Sequence, residues 1–248
     1  MLAHQCTRIE YPTSDGKPLG ETDVHRRQIM DLISALDVYY RDQADVYVSG
    51  NLLLFYEPGN RRRHRSPDVL VTLGIRKGLR DHYLVWEEGK APDFIIEVTS
   101  KSTRREDVVI KKRLYARLGV REYFIFDPLR EYQDPMLRGF RLSGGSWTPI
   151  LTRAGQPVHS EALGLDLLVV DGVLRFRDPG SGTLLLTILE NDQARQVACQ
   201  EARSARQEAR AARQEAEVAR QEAEATHQRD LERIRTFEAE VKRLRGEA

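Results

Sequence analysis

Apolar residues first recur at helical spacing between Glu21 and Tyr40, where Ile29, Leu32, Ile33, Leu36 and Tyr40 share one face. Short β-rich runs follow at Asp45 to Val48, Leu52 to Tyr56 and Val69 to Leu73. From Asp93 to Thr99 the run is nearly continuous in Phe94, Ile95, Ile96 and Val98, the pattern of a strand buried on both faces. A helix is predicted over Arg105 to Leu118, with Ile110, Leu114 and Leu118 aligned and Gly119 at its stop. Glu122 to Phe126 is a further strand, closed by Asp127-Pro128. Strand, helix, strand implies a crossover and a parallel pair. From Glu131 to Thr187 short strands and turns, marked by Gly144-Gly145, Asp171-Gly172 and Asp178-Pro179-Gly180, are expected to cover the core.

The pattern changes beyond Gly182. No Gly occurs again until Gly246 and no Pro after Pro179, and the residues are Ala, Arg, Gln and Glu, all good helix formers. One long helix is predicted from Ile188 to about Leu244. The chain therefore reads as a globular domain over 1–186 and a charged helix over 187–248. Within the helix Ala205, Ala209, Ala212, Ala216, Ala219 and Ala223 alternate four and three apart, a heptad seam. Ile234, Phe237, Val241 and Leu244 continue it with the seam shifted by about one residue. Two readings stand: a coiled-coil homodimer, or a solvated single helix held by Glu and Arg pairs four apart.

Composition adds limits. A chain of 248 residues with 40% hydrophobic content can build one sizeable core. Charged residues make up 31% yet the net charge is +1, so only local clusters can point to a partner. Cys6 and Cys199 are far apart and suggest neither a disulfide framework nor a metal site. Met1 to Tyr11 is too polar for a signal peptide, and no stretch approaches a membrane span. A protein of the reducing cytoplasm, without a membrane partner, is the expectation.

Three residues carry candidate chemistry. Asp68 follows Pro67 at a strand start, just after the basic run Arg61 to Arg65. Glu97 lies inside the apolar run, where a bare carboxylate is costly unless paired or bound to a metal. Two carboxylates on adjacent strands, about 4–6 Å apart, would make a hard oxygen site suited to Mg²⁺. Positive charge must come from elsewhere, because Thr99 occupies the same-face position two beyond Glu97. Lys111 and Lys112 are the next supply, and only one of two adjacent helix residues can turn inward. Taken alone, Lys111 reads as a helix ion pair with Asp107. His25 and His64 have no partner histidine at ligand spacing and read as ordinary histidines.

Pro67-Asp68, then Glu97-Val98-Thr99, then a lysine-bearing helix, resembles the PD-(D/E)XK nuclease superfamily. The segments ETDVHRRQIMDLI, DVYVSGNLLLFYEPGN, SPDVLV and WEEGKAPDFIIEVTSKSTRREDVVIKKRLYARLGVREYFIFDP look more closely like the Uma-type restriction endonuclease family. The resemblance covers roughly Glu21 to Asp178 and is densest between Leu84 and Pro128. It implies an α/β, restriction-endonuclease-like core with a central mixed sheet, a divalent metal (Mg²⁺ or Mn²⁺) and DNA hydrolysis. It implies that Asp68 and Glu97 hold the metal, and that the motif's lysine, replaced by Thr99, has moved to Lys111, with Lys112 in reserve. It also implies an acidic ligand on the first helix, for which Glu21 is the candidate; the competing reading is that Glu21 favours the helix dipole.

Arg61 to Arg65, and Lys101, Arg104 and Arg105, flank the carboxylates in sequence and suit a phosphate backbone. Three functions follow: a metal-dependent endodeoxyribonuclease, an inactive nuclease fold that holds DNA, or an interaction protein acting through its C-terminal helix.

Overall fold

The computed structural model describes residues 10–14, 16, 22–100, 103–151, 153 and 155–245. Glu21, Cys6 and Lys101 lie outside them. The chain divides into two units, Met1–Glu190 and Asn191–Ala248.

The first unit begins with helix α1 (Asp23–Tyr39), whose N-cap Thr22 accepts a hydrogen bond from His25 N. Strands β1 (Val46–Ser49), β2 (Leu54–Phe55), β3 (His64–Arg65), β4 (Val69–Leu73) and β5 (Tyr83–Leu84) follow, then the short helix α2 (Val85–Glu88) and β6 (Phe94–Val98). A π-helical turn (Glu106–Lys111) runs into helix α3 (Lys112–Leu118), which leads to β7 (Glu122–Phe126). The remaining strands are β8 (Leu137–Ser143), β9 (Ser146–Ile150), β10 (Val158–Ser160), β11 (Leu165–Val170) and β12 (Val173–Arg177).

Six strands form a mixed sheet in the order β1-β4-β6-β7-β8-β9. Within this sheet, among the described residues, only β6 and β7 pair in parallel, joined by the crossover through α3. β8 and β9 extend this sheet at its edge, whereas β10, β11 and β12 form a separate antiparallel sheet. The expected cover of the core after Glu131 comes from both: Leu137 and Ile150 pack in one core cluster with the second sheet, and Phe140 and Trp147 against the other.

Alternation along the strands divides the core into two layers. Val69, Val71, Phe94, Ile96 and Val98 pack with Ile29, Leu32 and Leu36 of α1 and with Leu165, Leu174 and Phe176 of the second sheet. Leu70, Ile95, Tyr123 and Ile125 face the other way, onto Leu114 and Tyr115 of α3. Every residue of β6 and β7 is buried, in keeping with their near-continuous apolar runs.

The predicted helix over Arg105 to Leu118 is not uniform. Its first part bonds at i→i+5 and winds wider than 3.6 residues per turn. The α-helical spacing that aligned Ile110 with Leu114 therefore fails, and Val108, Val109 and Ile110 face solvent. Asp107 and Lys111 take the inward face instead.

Gly50 holds the crossing before β4. A Cβ there would overlap the Asp68 carbonyl oxygen and press on Ile33 Cδ1, and Asn51 N donates to Pro67 O at 2.8 Å, so the backbone has little room to yield. Gly50→Ala is expected to cost about 1–3 kcal/mol of stability through overpacking. Chemical denaturation would measure it; an unchanged midpoint would mean the crossing is loose.

The second unit is the body of helix α4 (Ile188–Arg245). The helix starts with a capping box. Thr187 Oγ1 accepts from Glu190 N at 3.3 Å, and Glu190 Oε2 accepts from Thr187 N at 2.8 Å. Glu190 also takes Arg175 at 2.7 Å. At about 1.5 Å per residue, the 58 residues of α4 extend roughly 87 Å.

Candidate active site

β4 and β6 run antiparallel, with Val69 opposite Ile96 at the end of their ladder. One step further out the same register sets Asp68 across from Glu97. Glu97 is on the face that α3 covers, and Asp68 stands at the end of the ladder. The Asp68 carboxylate takes over where the backbone ladder stops, Oδ2 accepting from Val98 N at 2.7 Å. Asp68 is thereby fixed to the strand that carries Glu97.

Glu97 is fully buried, with 0% of its surface exposed. Both its oxygens are engaged. Lys111 Nζ donates to Oε2 at 2.7 Å, and the Tyr115 hydroxyl donates to Oε1 at 2.8 Å. Lys111 Nζ also lies 3.0 Å from Asp107 Oδ1. The ion pair with Asp107 and the approach to Glu97, alternatives at the level of sequence, exist together. The wide turn makes this so, because it brings Asp107 and Lys111 inward on one side. Tyr123 supports the turn by donating to the Asp107 carbonyl at 2.9 Å.

Lys112 points elsewhere. Its ammonium sits over the Phe140 ring, 3.3 Å from the centroid, and its carbonyl accepts from Trp147 Nε1 at 2.7 Å. Of the two adjacent lysines, Lys111 reaches the carboxylates.

His25, read from sequence as an ordinary histidine, belongs to this cluster. Its Nε2 bonds the Val98 carbonyl and lies 3.9 Å from Asp68 Oδ2. The helix start that caps on Thr22 delivers it there. No ligand spacing in the sequence could have marked it, because its neighbours come from β4 and β6.

Asp68, Glu97 and Asp107 all act on Lys111. Burial opposes its ammonium, but the Glu97, Asp107 and Asp68 carboxylates outweigh that and hold its pKa above the ordinary lysine value. Burial pushes the Glu97 carboxyl well above the usual carboxylate range; Lys111 pulls it down, while Asp68 and Asp107 add to the rise. Burial also raises the Tyr115 hydroxyl, so it remains a donor.

The Glu97, Asp107 and Asp68 carboxylates that gather around Lys111 are hard oxygen donors of the kind a divalent cation takes. Asp107 Oδ1 faces Lys111 Nζ, and its Oδ2 has no hydrogen-bond partner among the described residues. Among the described residues no three His, Cys, Asp or Glu side chains converge as a ready-made metal cage. Mg²⁺ does not need one, since it commonly takes one or two carboxylates and completes its shell with water and substrate phosphate.

The Glu97 shift sets a pH dependence. A carboxyl with a raised folded pKa favours the protonated fold. That stability is fully present below the unfolded value and is lost as pH rises through the folded one. A cation requires the ionised form, so added Mg²⁺ should raise the melting midpoint more at an alkaline pH than at a mildly acidic one. Thermal melts with and without the ion measure this, and an equal shift at both pH values would contradict it.

The flanking basic segments have distinct fates. Arg61, Arg62, Arg63, Arg104 and Arg105 are exposed. Arg65 pairs with Glu106 at 3.1 Å, which ties the Arg61 to Arg65 segment to the turn that carries Asp107 and Lys111.

Residues 2–170 match the Uma2 family, described as putative restriction endonucleases. The chain belongs to that family. No curated protein matches the chain. Among solved structures, a putative nuclease belonging to DUF820 from Anabaena variabilis is 15% identical, covering 59% of this chain and 76% of that one, with a TM-score of 0.43. Membership of the Uma2 family makes this a nuclease-like chain, and no described helix is long and apolar enough to cross a membrane.

Proposed function

We propose that this Uma2 chain is a Mg²⁺-dependent endonuclease hydrolysing DNA phosphodiester bonds. The observation that carries the reading is the wholly buried Glu97, across from Asp68 and bonded by Lys111 and Tyr115. A structural role alone would favour an apolar residue here, because burying even a well-paired ion pair gains little.

Asp68 and Glu97 would hold the cation, which when bound supplies a Lewis acid beside the scissile phosphate. The Val98 amide aims Asp68, and the Tyr115 hydroxyl fixes Glu97. A water attacks phosphorus as the bond to the leaving sugar oxygen breaks. Lys111 orients that water or offsets the negative charge of the transition state. Exposed Arg61, Arg62, Arg63, Arg104 and Arg105 offer contacts to the DNA backbone. Glu21, outside the described residues, remains the proposed acidic ligand before α1. The exposed helix α4 is the part of the chain suited to join a second copy, and a cytoplasmic setting belongs to the same reading.

Purified protein should nick supercoiled plasmid with Mg²⁺ or Mn²⁺ and lose that activity in chelator. Salt-sensitive DNA binding without cleavage in either metal would favour the inactive DNA-holding fold instead.

A further inference from the structure

From Asp192 to Lys242 every residue of α4 is exposed, including Ile234, Phe237 and Val241. A long helix that is polar almost all round needs many ion pairs of its own or a partner along its length. Among the described residues its own ion pairs are few. In α4 beyond Glu190, Arg220 meets Glu217 at 2.9 Å and Arg233 meets Asp230 at 3.7 Å. Glu201, Glu208 and Glu215 have only Ala, Ser or Val three and four residues away in either direction. Regularly placed acids without a partner on their own helix point to a partner outside it.

Their spacing says which partner. The alanine seam has two alternating sets, Ala202, Ala209 and Ala216, and Ala205, Ala212 and Ala219. Each member of the first set is preceded by a glutamate, Glu201, Glu208 or Glu215. Each member of the second is followed by an arginine, Arg206, Arg213 or Arg220. These are the two flanks of a heptad seam, which decide partner and orientation in a coiled coil. In a parallel, in-register pair each glutamate faces the arginine about five residues on in the other chain. Glu201 meets the partner's Arg206, Glu208 the partner's Arg213, and Glu215 the partner's Arg220. An antiparallel pair would set glutamate against glutamate and arginine against arginine. Where the seam turns bulky at Ile234 and Phe237, Arg233 and Glu238 are again complementary in the parallel arrangement.

We infer that α4 is a parallel, in-register homodimerisation helix, selected by its Glu and Arg flanks and anchored by Ile234, Phe237 and Val241. The inference deepens the self-association proposed for α4 and is independent of the cleavage chemistry. Its readout is mass.

The test is sedimentation of the full chain at micromolar concentration. The intact protein should be a dimer. Glu201→Arg, Glu208→Arg and Glu215→Arg together keep helix propensity and should raise the dimer dissociation constant by roughly a hundredfold or more, by turning attraction into repulsion. Arg206→Glu, Arg213→Glu and Arg220→Glu should do the same, and mixing the two variants should restore a dimer. With Cys6 and Cys199 replaced by Ser, Ala212→Cys should form a disulfide-linked dimer on mild oxidation, because in-register seam residues face each other. A monomeric intact protein, a dimer indifferent to both charge variants, or a dimer whose Ala212→Cys form does not cross-link would each overturn the inference.

Discussion

Glu97→Gln is expected to lower metal-dependent cleavage by about a thousandfold or more while the protein stays folded. Gln has nearly the shape of Glu; with its carbonyl oxygen turned to Lys111, its amide can donate to the Tyr115 hydroxyl oxygen. Lys111 retains Asp107 at 3.0 Å. What disappears is the charge. Burial already disfavours that charge, as the upward shift of Glu97 records, so its removal should not lower the melting midpoint. A stable but inactive protein is the signature of a group kept for function against the interest of stability. Plasmid nicking and a thermal melt on the same preparation read both effects. Cleavage that survives, or a variant that unfolds, would assign Glu97 a structural role.

The second large effect separates two neighbouring lysines. Lys111→Ala removes the cation held by Glu97 and Asp107 and leaves two buried carboxylates facing each other. Breaking a buried pair in this way costs about 3–5 kcal/mol, and cleavage should be lost with it. Lys112→Ala removes only a partly buried ammonium over Phe140, worth about 0.5–1 kcal/mol as a cation–π contact. Its carbonyl contact with Trp147 is backbone and survives. Cleavage by Lys112→Ala should therefore be close to that of the parent. Equal losses from the two changes would reject Lys111 as the lysine of the site.

Much of this arrangement was legible in the sequence. The strand Val69–Leu73 and the strand Glu122–Phe126 have the bounds their apolar runs suggest. The parallel β6–β7 pair follows from strand, helix, strand. Asp68 stands just before β4 and Glu97 within β6, the strand positions their neighbours suggest. The composition of α4 fixed its start at Ile188.

The rest depended on distant contacts. The wide turn at Glu106–Lys111 has no propensity signature, since it arises where Lys111 and Asp107 meet Glu97 and Tyr123 from other elements. Helical spacing therefore gave Ile110 a buried place that the turn hands to Lys111. Asp107 looked like half of a surface ion pair, yet it is 1% exposed. His25 joins the site only because α1 lies across the ends of β4 and β6, and Gly50 acquires its role only where the chain crosses Asp68.

The central claim, that Asp68 and Glu97 share one divalent ion, is tested most directly by a crystal of the protein grown with Mn²⁺ and measured for its anomalous signal. The account predicts one peak within coordinating distance of both carboxylates, at roughly 2.0–2.3 Å from the nearest oxygens, and its absence from Glu97→Gln crystals grown in the same ion. A well-ordered site with Lys111 still on Glu97 and no peak at saturating Mn²⁺, or a peak bound elsewhere on the chain, would contradict it.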